Sequence, residues 1–145
     1  MTNTSIENPR VDAVMEQLRR AGGRVTPARR LVVSALLDST SHQTAEDIAT
    51  AVRRADPEVH LSTVYRSLES LESFGLLEHT HVGHGPAVYH LGAPHQHLVC
   101  EQCGTLIDIN ASTLDALSDE LRARFGFRLH VGHFAILGRC GACGP

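Results

Sequence analysis

Apolar residues in the first half of the chain recur at helical spacing. Val11, Val14, Met15 and Leu18 predict a helix from Val11 to Ala21, stopped by Gly22 and Gly23. Thr26-Pro27 reads as an N-cap followed by proline at the first helical position. The helix it opens runs to about Asp38, with Leu31, Val32, Ala35 and Leu36 on one face. Thr44-Ala45-Glu46-Asp47 has the form of a capping box for a third helix through about Arg54, buried by Ile48, Ala49 and Val52. A fourth helix starts near Ser62, turns Val64, Leu68, Leu71 and Phe74 inward, and ends at Gly75. The period then shortens to two. Leu76–His81 and Ala87–Leu91 alternate, and Gly83-His84-Gly85-Pro86 joins them as a hairpin. Helices followed by a small hairpin predict a winged helix.

Residues 1–10 read as a flexible arm, and residues 92–96 as a polar hinge. Beyond the hinge the pattern predicts strands near Leu98-Val99 and at Thr105–Ile109, a helix at Thr113–Arg124 and a strand at Phe127–Leu137. Ser112-Thr113-Leu114-Asp115 supplies a capping box for that helix and Gly126 its stop. The fold class is therefore α+β: a winged helix over residues 1–91, then a small α/β domain over residues 97–145. Two domains within 145 residues have thin cores, which favours a staple such as a metal.

Composition removes some classes. No run approaches the ~20 apolar residues of a membrane helix, and the first 20 residues lack a signal-peptide core, so a cytoplasmic, membrane-free protein is expected. The net charge of −3 does not point to nucleic acid, but its distribution does: Arg19, Arg20, Arg24, Arg29 and Arg30 crowd twelve residues, and the chain has no lysine. Ser62, Thr63, Tyr65 and Arg66 are polar at the start of the fourth helix, which reads equally as a solvated helix start or as the end of a recognition helix that meets base edges. Arg66 suits guanine, and Tyr65 or Thr63 a thymine methyl or a phosphate.

The cysteines fall in two C-x-x-C pairs, Cys100/Cys103 and Cys140/Cys143, with none to spare. Two thiolates on one tight turn are half of a tetrahedral zinc site, and four close its shell, so a structural zinc is expected. Disulfides or a redox pair are the other reading, and a cytosolic setting disfavours structural disulfides.

The chain also carries 10 histidines, most of them between His79 and His133. His95 and His97 share one side of an extended segment, as do His79 and His81. His84 lies on the hairpin turn, His42 between helices, His133 on the last strand and Asp108 on the strand after Cys103. Histidines with one carboxylate form an exchangeable site suited to nickel, zinc, copper or iron(II). His60, His90 and His130 read as structural.

Five segments together resemble the ferric uptake regulator family of metal-responsive repressors. They are Arg24-Val25-Thr26-Pro27-Ala28-Arg29, His42-Gln43-Thr44-Ala45-Glu46-Asp47-Ile48, Ser62-Thr63-Val64-Tyr65-Arg66-Ser67-Leu68, His95-Gln96-His97-Leu98-Val99-Cys100-Glu101-Gln102-Cys103-Gly104 and Cys140-Gly141-Ala142-Cys143. The resemblance spans about residues 11–143. It implies a homodimer on a palindromic operator in double-stranded DNA, an N-terminal DNA-binding domain and a zinc-stapled dimerisation domain. It places Arg24, Arg29, Ser62, Thr63, Tyr65 and Arg66 at DNA. It assigns His42, His84, His95, His97 and Asp108 to the regulatory metal, and His79, His81 and His133 to a second regulatory site.

Two departures bear on the metal. Histidine stands at position 84, where the family often has a carboxylate, and Pro94 and Gln96 replace a usual histidine and aspartate. The pattern then resembles the nickel-responsive branch, so nickel is the favoured signal. Zinc-, iron- or manganese-responsive regulators and an iron-based peroxide sensor are the alternatives. A zinc hydrolase is a rival of another class, but H-E-x-x-H is absent and the candidate ligands are scattered, so no enzyme is expected.

Overall fold

The Asn8 side chain accepts the Arg10 N–H (3.0 Å) and starts α1 (Pro9–Arg20) two residues before the apolar pattern does. The structure, a computed structural model, describes residues 8–39, 42–81, 85–91, 95–131 and 134–144. Both glycines after α1 are required. Gly22 takes a left-handed φ of +91°, and a Cβ on Gly23 would collide with Leu18 and touch Phe74. Thr26 caps α2 (Pro27–Asp38) through the Arg29 N–H at 3.2 Å. After the two-residue strand β1 (Gln43–Thr44), Thr44 and Asp47 cap α3 (Ala45–Ala55) reciprocally: Thr44 Oγ1 accepts the Asp47 N–H at 3.1 Å, and Asp47 accepts the Thr44 N–H at 3.0 Å. Those bonds, with the Thr44 hydroxyl first, hold the Asp47 carboxyl below the usual carboxylate range.

α4 (Leu61–Ser73) completes the helical set, and one core joins all four helices. It holds Val11, Met15 and Leu18 of α1, Val32, Val33 and Leu36 of α2, Ile48, Ala49 and Val52 of α3, and Val64, Leu68 and Leu71 of α4. Each fully buried aliphatic side chain of Val or Leu size stabilises by roughly 1.5–3 kcal/mol. Val33 is fully buried while Leu31 and Ala35 are half-buried, unlike the predicted face. α2 packs against α1, α3 and α4 together, which widens its apolar arc beyond a single stripe. β2 (Leu77–His81) and β3 (Ala87–Leu91) form a sheet in the order β1-β3-β2. β1 is too short for alternation to reveal. Half of the predicted hairpin turn, Gly83-His84, lies outside the described residues.

A second sheet has the order β5-β4-β6. Its central strand β4 (His95–Cys100) runs antiparallel to β5 (Leu106–Asn110), with His97 opposite Asp108, and parallel to β6 (Ala135–Gly138), with Leu98 opposite Ile136. β4 begins at His95, inside the stretch read as a hinge. The Gln96 side chain is fully buried and donates to the Phe134 carbonyl, which draws this polar stretch into the sheet. A 3-10 turn (Ala111–Leu114) precedes α5 (Asp115–Phe125). Asn110 caps that turn through the Ser112 N–H (3.0 Å), so the predicted Ser112–Asp115 box does not form. Gly126, at φ +63°, ends α5 as expected. The predicted strand at 127–137 shrinks to Ala135–Gly138, because β4 offers only one free edge once β5 is paired and residues 127–131 find no partner strand among the described residues.

The chain divides into two units. One comprises the described residues up to Leu77 with those of 89–92, the other those of 78–88 with 93–144. Among the described residues, the second unit buries only Val99 and Cys100 as apolar side chains. No described helix is long and apolar enough to cross a membrane.

Candidate metal centres and nucleic-acid interface

The two C-x-x-C turns of the second unit meet. Gly104 donates its N–H to the Cys100 carbonyl (2.8 Å) and Cys143 donates to the Cys140 carbonyl (3.0 Å), so each pair closes a tight knuckle. The residue after each pair, Gly104 or Gly144, takes a left-handed φ of +72° or +73°. The four sulfurs lie within 4.8 Å of one another, and Cys103 Sγ is 3.6 Å from Cys140 Sγ. Tetrahedral zinc with Zn–S near 2.3 Å places sulfurs about 3.8 Å apart, so the arrangement fits that ion. All four are free thiols, at a separation far beyond a disulfide bond.

The electrostatics agree. The Cys140 N–H donates to Cys100 Sγ (3.4 Å), and with the backbone of Cys103 it lowers the Cys100 thiol to about 6. The same cluster pushes Cys143 up to about 12, because the sulfurs of Cys103 and Cys140 already crowd it. Four adjacent thiolates repel one another, and a divalent cation is what permits all four to ionise.

The histidines pair within each unit. In the first, the rings of His42 and His90 meet edge to face at 5.5 Å between centroids. His90, read from sequence as structural, is therefore a candidate ligand; the signal that could have found it is its place on β3 between Tyr89 and Leu91, which pack against the core, so that strand alternation turns the histidine to the other face. In the second unit, the rings of His95 and His97 lie 4.6 Å apart. Asp108 Oδ1 is 2.8 Å from His97 Nδ1 and 3.8 Å from His95 Nε2. A carboxylate at Nδ1 fixes the imidazole tautomer and makes Nε2 the ligating atom. Asp108 stands in the position from which a carboxylate can orient a ligating histidine. His79 and His81 also face each other, at 5.4 Å between centroids, with Thr80 between them buried. His84 and His133 lie outside the described residues.

The arginine cluster divides. Arg19 and Arg20 both bind Glu16, at 2.6 and 3.2 Å, and hold its carboxyl below the usual range; Arg30 pairs with Asp12 at 2.5 Å. Arg29 donates to the Arg24 carbonyl. Arg24 and Arg66 are exposed. Arg66 stands with Ser62, Thr63 and Tyr65 on the first turns of α4, over the buried Val64 and Leu68. α4 starts without a capping side chain, so its first N–H groups are available to a phosphate.

A winged helix followed by a thiolate-clamped α/β unit, with histidine pairs in both, defines a metal-responsive DNA-binding regulator. The chain belongs to the ferric uptake regulator family, whose sequence pattern matches residues 20–136. It is 31% identical over 140 residues to the ferric uptake regulation protein of Bacillus subtilis (strain 168), covering 92% of this chain and 94% of that protein. It is 29% identical over 130 residues to the peroxide operon regulator of the same strain, covering 89% and 90%. The solved ferric uptake regulator from Pseudomonas aeruginosa with manganese superposes with a TM-score of 0.70 at 32% identity, covering 87% of this chain and 96% of that one. The chain is accordingly a metal-dependent transcriptional regulator and not an enzyme; members of this family are dimeric, DNA-binding repressors.

Proposed function

We propose that this regulator is a nickel-responsive repressor of metal-homeostasis genes, acting in the cytoplasm as a homodimer on a palindromic operator. The edge-to-face pairs His42/His90 and His95/His97 carry the reading. On it, the regulatory ion takes His42 and His90 from the winged-helix domain (residues 1–91) and His95 and His97 from the start of the dimerisation domain, with Asp108 fixing His97. Residues 92–94 connect the two ligand pairs along the chain. His84 is a further ligand from the hairpin turn, and His79 and His81, with His133, form the second regulatory site. The four cysteines hold a structural zinc.

An all-imidazole inner set with its carboxylate one step removed favours nickel or zinc over iron(II) or manganese, which prefer more oxygen ligands. Bound, the ion cross-links the two ligand pairs and favours the DNA-competent arrangement of the dimer. The ion must bind one arrangement more tightly than the other, and a difference of about 5.5 kcal/mol moves an equilibrium from 1:99 to 99:1. The dimer covers the exposed apolar side chains of the second unit, among them Ile107, Leu117, Phe125, Phe127 and Leu137. Arg24, Arg29, Ser62, Thr63, Tyr65 and Arg66 contact the operator.

The test is a gel shift on duplex DNA selected from a random pool, with the zinc-loaded protein titrated with nickel, zinc, iron(II) and manganese at matched free concentrations. Nickel is expected to activate binding at the lowest concentration. Activation by zinc or iron(II) but not nickel would refute the assignment. A +16 Da histidine after peroxide treatment of the iron(II)-loaded protein would place the chain with the peroxide sensors instead.

A further inference from the structure

Tyr65, on the exposed start of α4, does not stand alone. Its hydroxyl donates to Glu46 Oε1 at 2.9 Å, a bond that links α4 to the first turn of α3. Tyr65 is 37% exposed, and this bond anchors the end of its side chain. We infer that Glu46 is a positioning residue for base reading, which orients the Tyr65 phenol and decides what its oxygen offers to DNA. The inference rests on the reading of α4 as the operator-contacting helix.

The argument is one of donor counting. A tyrosine hydroxyl has a single proton. While that proton is given to Glu46, Tyr65 has none for a phosphate oxygen, which only accepts. The phenol then presents its ring edge to apolar groups such as a thymine methyl, and its oxygen lone pairs to a base amino group. Both partners carry sequence information, whereas a phosphate does not. Glu46 also brings a negative charge close to the phosphate backbone, which weakens binding to every sequence alike. The carboxylate thus lowers affinity generally and directs Tyr65 towards bases. The hydroxyl ionises less readily than a free phenol, chiefly because of the bond to Glu46, as a committed donor should. Glu46 stands four residues after His42, in the turn locked by the Thr44–Asp47 capping box, so its backbone is held firmly.

Charge and orientation can be separated by substitution. Glu46→Gln removes the charge and keeps an acceptor; Glu46→Ala removes both. Tyr65→Phe removes the hydroxyl. The metal-loaded full-length dimer is measured by fluorescence anisotropy on two duplexes: one selected from a random pool by the wild-type protein, and its scrambled counterpart. Circular dichroism checks that each variant is folded. Glu46→Gln should tighten binding to both duplexes and leave their ratio within about twofold, since the charge term is blind to sequence. Glu46→Ala should tighten both as well, yet lower the selected-to-scrambled ratio on the order of fivefold, the scale of losing one neutral hydrogen bond. In the Tyr65→Phe background, Glu46→Ala should no longer change the ratio. The inference is overturned if Glu46→Ala leaves the ratio intact, or lowers it equally when the hydroxyl is gone. A wild-type protein that binds both duplexes equally would overturn the operator reading itself, and the inference with it.

Discussion

Cys103→Ser removes one sulfur of four and little else. The side chain is exposed, so no packed volume is lost, and serine keeps the shape while replacing a thiolate with a neutral hydroxyl. What changes is the metal shell: Cys103 Sγ lies 3.6 Å from Cys140 Sγ, and with three thiolates the shell no longer closes. In small thiolate sites the ion contributes about 10–16 kcal/mol of apparent binding energy, which is also folding energy. The second unit has little to set against that loss, since Val99 and Cys100 are its buried apolar side chains among the described residues. The first unit has a core drawn from four helices and does not touch the ion through any cysteine. The variant should therefore lose its zinc and unfold one unit only. α5 contributes 11 helical residues, against 12, 12, 11 and 13 in α1 to α4, so about a fifth of the 222 nm circular dichroism should disappear. Zinc content by colorimetric release and a thermal melt complete the assay, with the remaining transition that of the winged helix. Full retention of one zinc per protomer with unchanged melting would refute the four-thiolate clamp. Collapse of the whole helical signal would refute the independence of the first unit.

Four further outcomes follow from the same geometry. Asp108→Asn should weaken nickel binding by about 10–100-fold in a competition titration, the usual cost of losing the carboxylate that orients a ligating histidine; unchanged affinity would mean that the 2.8 Å bond to His97 does not serve the metal. Leu68→Ala should destabilise the first unit by about 2–5 kcal/mol in a urea melt, because a fully buried side chain leaves a cavity in the four-helix core. Thr44→Ala should cost about 1 kcal/mol by breaking the capping box. Asp47 adds a pH signature: its folded carboxyl titrates below its ordinary 3.8, so its stabilisation is present above that value and lost as pH falls through the lower folded pKa. An Asp47→Asn variant should differ from wild type at neutral pH and converge with it in strong acid.

Sequence pattern carried the first half of the molecule far because several helices there begin or end on a local device. Thr26-Pro27, the Thr44–Asp47 box and Gly75 operate within one turn, so a reader of the chain meets them directly. The second half depends on partners distant in sequence. Gln96 looks like linker until the Phe134 carbonyl, 38 residues on, accepts its amide. Asn110 rather than Ser112 caps the turn before α5, a choice that two adjacent capping residues leave open. The cysteine cluster was legible since thiol spacing encodes its own geometry. His90 was not, because its meaning lies in a ring contact with His42, 48 positions away.

That contact bears on how one scaffold serves different signals. The chain is about equally similar to a ferric uptake regulator, at 31% identity, and to a peroxide regulator, at 29%. Overall similarity therefore does not separate the signals, and the donor atoms must. Here the wing-side pair is His42 and His90, both imidazole, and the carboxylate nearest the other pair is occupied with His97 Nδ1. Removing oxygen from the inner set shifts preference towards borderline metals. Restoring it should shift preference back. His90→Glu places a carboxylate on β3 beside His42, with a side chain of similar reach. It should weaken nickel-dependent operator binding and strengthen the response to iron(II) or manganese, read as a change in the order of activating metals on the selected duplex. If the order is unchanged while the variant remains folded, the metal is chosen elsewhere, and His79 and His81 become the pair to alter next.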